Sequence, residues 1–219
     1  MKRYKDLPAG IAGFLMQINA IKLNVENPFT WASGMLSPIY CDNRLILSYP
    51  EIRRRVAGGI AQIVRDCYPG TGMVAGVATG AIAIGVMVAE ELDLPFSYVR
   101  SAAKGHGLGS QIEGRILPGE RTVVVEDLVS TGRSSLAAVK ALRHEGLDVQ
   151  GMVAIFDYNL DISGHNFREA DCPLISLSNY PALLDTLQKQ GKLSDQQLSE
   201  LKIWREDPDA WSKRRKKEI

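Results

Sequence analysis

The segment Val123-Val-Val-Glu-Asp-Leu-Val-Ser-Thr-Gly-Arg-Ser-Ser135 carries the densest chemistry in the chain. An apolar run ends in two carboxylates, Glu126 and Asp127. Leu128 and Val129 lead into a hydroxyl-rich turn of Ser130, Thr131 and Gly132, and Arg133, Ser134 and Ser135 open a helix-like stretch. A helix start offers free N–H groups and a positive dipole end, which suit an anion. The hydroxyls of Ser130, Thr131, Ser134 and Ser135 add donors. Together these groups form a cradle for one phosphate, and two carboxylates just upstream suit a diol. No Gly-Lys-Ser/Thr follows, so the turn is not a Walker A loop, and the G-x-G-x-x-G dinucleotide fingerprint is missing.

A second stretch, Arg100-Ser-Ala-Ala-Lys-Gly-His-Gly107, holds three potentially cationic groups, Arg100, Lys104 and His106, among glycines that leave the backbone loose. Such a segment can close on a polyanion such as pyrophosphate; a surface hairpin with solvated cations is the other reading. Metal-ligand chemistry built by the protein is not expected. Cys41, Cys67 and Cys172 are scattered, His106, His144 and His165 equally so, and no H-E-x-x-H is present. Three isolated cysteines read as reduced thiols in a cytoplasmic protein.

Positioning these groups requires a sheet. Met73–Ala78, Phe96–Val99, Arg121–Glu126, Val149–Phe156 and Leu174–Leu177 are short apolar runs rich in Val and Ile, and helix-like stretches at Gly80–Leu92 and Gly132–Glu145 lie between them. Strands alternating with helices predict an α/β fold with a central, mostly parallel sheet flanked by helices, and ligands then bind at the carboxyl ends of the strands. Upstream, Ala9–Ala20 has helical spacing, Leu23–Arg44 has strand-and-turn chemistry, and Ser48–Tyr68 is predicted helical with Ser48 as its cap. Pro181–Ile219 is predicted as two or three helices, with a capping box at Ser194–Gln197. Ten of the twenty glycines fall between Gly70 and Gly119, where the chain must turn tightly or approach a ligand by its backbone.

Composition narrows the function classes. The 219 residues are 45% hydrophobic and 23% charged, with a formal net charge of +1, which is the balance of an ordinary globule. Near-neutrality argues against a protein that lives on nucleic-acid phosphate. The one basic run, Lys213–Lys217, reads as a solvated end. The stretch Ile11–Ile18 is too short, and is interrupted by Gln17, to read as a signal peptide. The apolar stretch Met73–Ala89 is broken by Gly76, Thr79, Gly80 and Gly85, so no membrane span is expected.

The segment Glu126–Ser135 resembles the phosphoribosyl-pyrophosphate (PRPP) motif of the type I phosphoribosyltransferases, and the R-x-x-x-K-x-H-G spacing of Arg100–Gly107 resembles the mobile loop of the orotate phosphoribosyltransferases. Asn27–Arg44, with its F-T-x-x-S-G-x-x-S-P pattern, resembles that family's N-terminal segment. The resemblance spans roughly Ala9 to Tyr180. It implies one phosphoribosyltransferase domain over 1–219, with a hood at about 1–45, a core at about 46–180 and C-terminal helices at about 181–219. By the same resemblance, Glu126 and Asp127 bind ribose hydroxyls, and Leu128, Val129, Ser130, Thr131, Gly132, Arg133 and Ser134 belong to the PRPP site. Thr79 and Gly80 fall in the pyrophosphate loop, where a cis non-proline peptide is implied. Arg100, Lys104 and His106 close on the leaving group, and Phe29, Tyr40, Arg44 and Ser130 line the orotate site. Catalytic roles fall to Lys104, His106 and Asp127.

The activity implied is transfer of the phosphoribosyl group from PRPP to orotate, giving orotidine 5-monophosphate and pyrophosphate in pyrimidine synthesis. Mg²⁺ is the implied cofactor, and a homodimer sharing the loop is the implied assembly. Ala32, Ser101 and Tyr158 depart from residues common in the family (Lys, Lys and Arg), a difference read as one between branches. Two other readings differ in what they require. A transferase acting on a purine or uracil would lack the R-x-x-x-K-x-H-G loop and the F-T-x-x-S-G segment. A nucleotide or RNA sensor would show an extended basic face.

Overall fold

The computed structural model describes residues 7–31, 33–101 and 111–218. Lys104 and His106, like Ala32, lie outside the described residues. The chain opens with helix α1 (Leu7–Gln17). Four short strands follow: β1 (Ile21–Leu23), β2 (Phe29–Thr30), β3 (Leu36–Ser37) and β4 (Ile39–Cys41). β1 pairs antiparallel with β4, and β2 with β3, so that two small hairpin sheets form a hood. A 3-10 helix (Asn43–Ser48), whose first turn is capped by Asp42, leads into α2 (Pro50–Cys67).

Ser48 does not cap α2. It ends the 3-10 helix, and Tyr49 takes the cap position without a side-chain hydrogen bond. The physical reason is Pro50 at the first helical position. It holds Tyr49 extended and removes one of the N–H groups that a cap would satisfy.

The central sheet comprises β5 (Met73–Val77), β6 (Phe96–Val99), β7 (Ile112–Glu113), β8 (Arg121–Val129), β9 (Asp148–Asp157) and β10 (Leu174–Asn179). The strand order is β10-β9-β8-β5-β6-β7, and every pair is parallel except β6 with the edge strand β7. Alternation sets the two faces. Val74, Val123, Val125, Val153 and Leu177 face one apolar layer with α2 and α3 (Ile82–Leu92), while Met73, Ala75, Val124, Met152 and Ala154 face a second with α4 (Arg133–His144). Both faces are covered, which is why the strands read as continuous apolar runs.

β8 runs three residues past Glu126, because Leu128 and Val129 pair with Phe156 and Asp157 of β9. Three elements lie outside the sequence reading: the 3-10 helix, β7 and α5 (Asp161–Glu169). α5 contains Gly164 and Asn166, both weak helix formers. It is held instead by burial of Ser163 and Phe167 on one face. Three helices close the chain: α6 (Tyr180–Lys189), α7 (Asp195–Glu206) and α8 (Pro208–Glu218). The capping box at Ser194 and Gln197 is present in both directions.

Candidate active site

Three elements meet at the carboxyl end of β8. The strand delivers Glu126 and Asp127. The turn of Ser130 and Thr131 ends at Gly132, whose φ of 79° is left-handed and which precedes the first residue of α4. A side chain at Gly132 would strike the Phe167 ring, its Cβ coming within 2.6 Å of Cε2, so only glycine allows both the turn and the packing of α5 beneath it. Asn166 of α5 donates its side-chain N–H to the Thr131 carbonyl at 2.9 Å and fixes the turn from below. The cap residue Gly132 has no side chain to bond the opening N–H groups of α4 and no acid lies in the first turn, so those groups and the helix dipole suit an anion. Arg133 and Ser134 are exposed at that opening, and Ser130 and Thr131 are half-buried.

The two carboxylates differ. Glu126 is only 3% exposed, and its oxygens accept the Asp127 N–H at 2.9 Å and the Ser135 hydroxyl at 2.7 Å. Burial, and next the charge of Asp127, push its pKa well above the usual carboxylate range. Asp127 is half-buried and turns toward Gly80. A Cβ on Gly80 would overlap its carboxylate, so the bare backbone between β5 and α3 is what makes room for the acid. The neighbouring Ala78–Thr79 peptide is cis, as the resemblance implied, and Thr79 is exposed. Thr79, Gly80, Glu126, Asp127 and the Ser130–Ser134 turn are thus brought together at one end of the sheet.

Arg100 follows β6. Its N–H donates to the Gln111 carbonyl at 2.8 Å, and its guanidinium lies 3.5 Å from the Glu113 carboxylate. The Arg100 backbone is therefore tied across the base of the segment that holds Lys104 and His106.

The hood approaches from the other side. The rings of Phe29 on β2 and Tyr40 on β4 stand 5.8 Å apart, and Tyr40 is 38% exposed. Arg44 is exposed and gives its guanidinium to Asp42 through bonds of 2.7 and 2.9 Å, the salt-bridge arrangement. Tyr158 is a core residue, buried at the end of β9 among Trp31, Phe156 and Trp204. Ser101 is exposed.

Two residues outside the sequence reading belong to the neighbourhood. Asn43 is buried and donates its side-chain N–H to the Asp127 carbonyl at 2.6 Å, tying the hood to the acid. Asp157 ends β9 directly beside Val129, accepts the Asn159 N–H at 2.8 Å, and is pushed up by burial to a pKa of about 6. Its position at a strand's carboxyl end was the available signal. Asn43 offered none, since a polar residue in a turn does not announce its burial.

Comparison with known proteins agrees with this geometry. Residues 44–175 match the model of the phosphoribosyl transferase domain. The chain is 48% identical to orotate phosphoribosyltransferase of Lactiplantibacillus plantarum, over 94% of this chain and 97% of that one. It is 50% identical to the Phocaeicola vulgatus protein of the same name, over 94% and 98%. Among solved structures, orotate phosphoribosyltransferase from Aeropyrum pernix superposes with a TM-score of 0.72 at 28% identity, covering 84% of this chain and 99% of that one. UMP synthase of Leishmania donovani gives 0.75 at 27% identity, covering 90% of this chain and 41% of that one. With its two-carboxylate strand end, its uncapped helix and its full-length relatives, the chain belongs to the orotate phosphoribosyltransferase family.

Proposed function

We propose that the chain transfers the 5-phosphoribosyl group from PRPP to orotate, producing orotidine 5-monophosphate and pyrophosphate. The observation that carries this reading is the end of β8, where Asp127 faces the bare Gly80 backbone and the turn of Ser130–Ser134 runs into the uncapped start of α4. The free N–H groups and hydroxyls there suit a 5-phosphate. Asp127 suits the ribose hydroxyls and stands where positive charge develops. The ribose C1–oxygen bond to pyrophosphate breaks through an oxocarbenium-like transition state, and the orotate ring nitrogen, its proton released to solvent, forms the new bond to C1. No side-chain nucleophile is needed, so the protein acts by holding the nitrogen against C1 and by stabilising the departing charge. Lys104 and His106 take the leaving pyrophosphate, with His106 as a proton donor. Phe29, Tyr40 and Ser130 form the orotate side. Arg44 joins them only by giving up part of its bond to Asp42.

Mg²⁺ would neutralise pyrophosphate oxygens. The donor set fits such an ion, because Asp127 supplies one accessible carboxylate and the substrate supplies the other oxygens; among the described residues no cluster of three ligating side chains occurs. We further propose a homodimer in which each loop serves the partner's site, and a cytoplasmic location. Among the described residues no helix is long and apolar enough to cross a membrane.

The test is pyrophosphate release from PRPP with orotate, uracil, adenine and hypoxanthine offered in parallel. Release is expected with orotate alone and only when Mg²⁺ is present. Release with a purine or uracil instead would assign a different base.

A further inference from the structure

The basic run Lys213–Lys217 is not simply a solvated end. Arg215 donates from Nη2 to the carbonyls of Val25 and Glu26, each at 3.0 Å, and Lys216 donates from Nζ to the Gly34 carbonyl at 2.7 Å. Ser212 of the same helix accepts the Leu36 N–H at 2.9 Å. α8 therefore grips the β2–β3 hairpin at both its entry and its turn. The helix is itself anchored to α7, where Glu200 accepts the Trp211 indole N–H at 2.9 Å and pairs with Arg214. Beneath the hairpin, Trp31 packs on Tyr158 at 5.4 Å and edge-on to Trp204 at 6.0 Å.

The hairpin has need of such support. Each of its strands has two residues, and a two-stranded ribbon is marginal on its own. Leu36, held by Ser212, pairs with Thr30 beside Phe29, whose ring faces Tyr40. The helix thus holds the strand opposite one wall of the orotate side. The PRPP turn is held separately, through Glu126, Ser135 and Asn166.

We propose that α8 is a positioning strap for the orotate wall, with Arg215 as its main positioning residue and Lys216 and Ser212 as supports, setting orotate affinity without touching the base. The inference rests on the orotate reading given above. A hood released from the strap samples more conformations, and the apparent dissociation constant for orotate rises as the competent fraction falls. Saturating orotate draws the hood back, so turnover survives. Asn43, which ties the hood to Asp127, lies outside the hairpin that α8 grips, so PRPP at the end of β8 keeps its contacts.

Steady-state kinetics of the full chain test this. Arg215→Ala is expected to raise the KM for orotate about tenfold, with kcat and the KM for PRPP held within about twofold. Arg215→Lys should regain part of the loss, since an ammonium still donates to a carbonyl. Lys216→Ala, at an exposed position, should move the same constant in the same direction by a smaller factor, and it serves if Arg215→Ala does not fold. An orotate KM unmoved in the folded variants would overturn the proposal. So would an equal rise in both KM values, which is the signature of general loosening. Absence of orotate turnover by the unsubstituted protein would overturn the orotate reading and the inference together, whereas turnover with an unmoved KM overturns the inference alone.

Discussion

Two buried carboxyls sit on adjacent strands near the site, Glu126 on β8 and Asp157 on β9, and burial raises the pKa of both. For Asp157 the value rises from 3.8 to about 6. The folded state then keeps a proton that the unfolded chain releases, so the group's stabilising contribution is complete below pH 4 and is lost as pH rises through about 6. At neutral pH the ionised carboxylate opposes folding by up to about 3 kcal/mol. Asp157→Asn stays neutral and can still accept the Asn159 N–H. Its stability advantage over the unsubstituted protein is therefore expected to grow between pH 4 and pH 6 and then level off. Urea midpoints of the two proteins at several pH values check this, and an advantage that does not change with pH would contradict it. At this scale the turn after β8 and the helix it opens were legible because their residues are contiguous. Asn43 was not, because its partner Asp127 is 84 residues away and only folding brings them together.

Elements were legible where local pattern and tertiary environment agree. Phe96–Val99 is a strand with the bounds its apolar run suggests, and α4 starts and stops within a residue of the glycine-flanked stretch. β8 exceeds its apolar run because pairing with β9 carries the strand through two carboxylates. α5 was missed because its own residues favour helix weakly, and Phe167 beneath Gly132 supplies what propensity does not. The Ser194 capping box is the opposite case, a local signal realised in full by bonds of 3.0 and 3.2 Å. Ser194→Ala is expected to cost about 1 kcal/mol, seen in thermal unfolding as a drop of roughly 2–4 °C, with kcat unchanged. No change in Tm would show that α7 is held by its packing on Tyr180 and α8 alone.

At the scale of the whole molecule, the hood and the sheet are two walls that share one apolar cluster, Ile21, Ile39 and Ile46 of the first lying with Val123 and Val125 of the second. Asn43 links them across the acid, and α8 braces the hood from behind. In the reaction proposed above, PRPP and orotate meet between these walls, and Lys104 and His106 act on the leaving pyrophosphate. If that loop serves the partner's site, mixing inactive Lys104→Ala with inactive Asp127→Ala should restore part of the activity, because a hybrid dimer contains one site free of both substitutions. Failure to recover activity after demonstrated subunit exchange would assign each loop to its own subunit. The most direct test of the account as a whole is the loss of orotate ultraviolet absorbance with PRPP and Mg²⁺, followed for the unsubstituted protein and Asp127→Asn side by side. The account predicts loss with the first and a rate lower by about a hundredfold or more with the second. No loss with the folded unsubstituted protein, or an undiminished rate in Asp127→Asn, would contradict it.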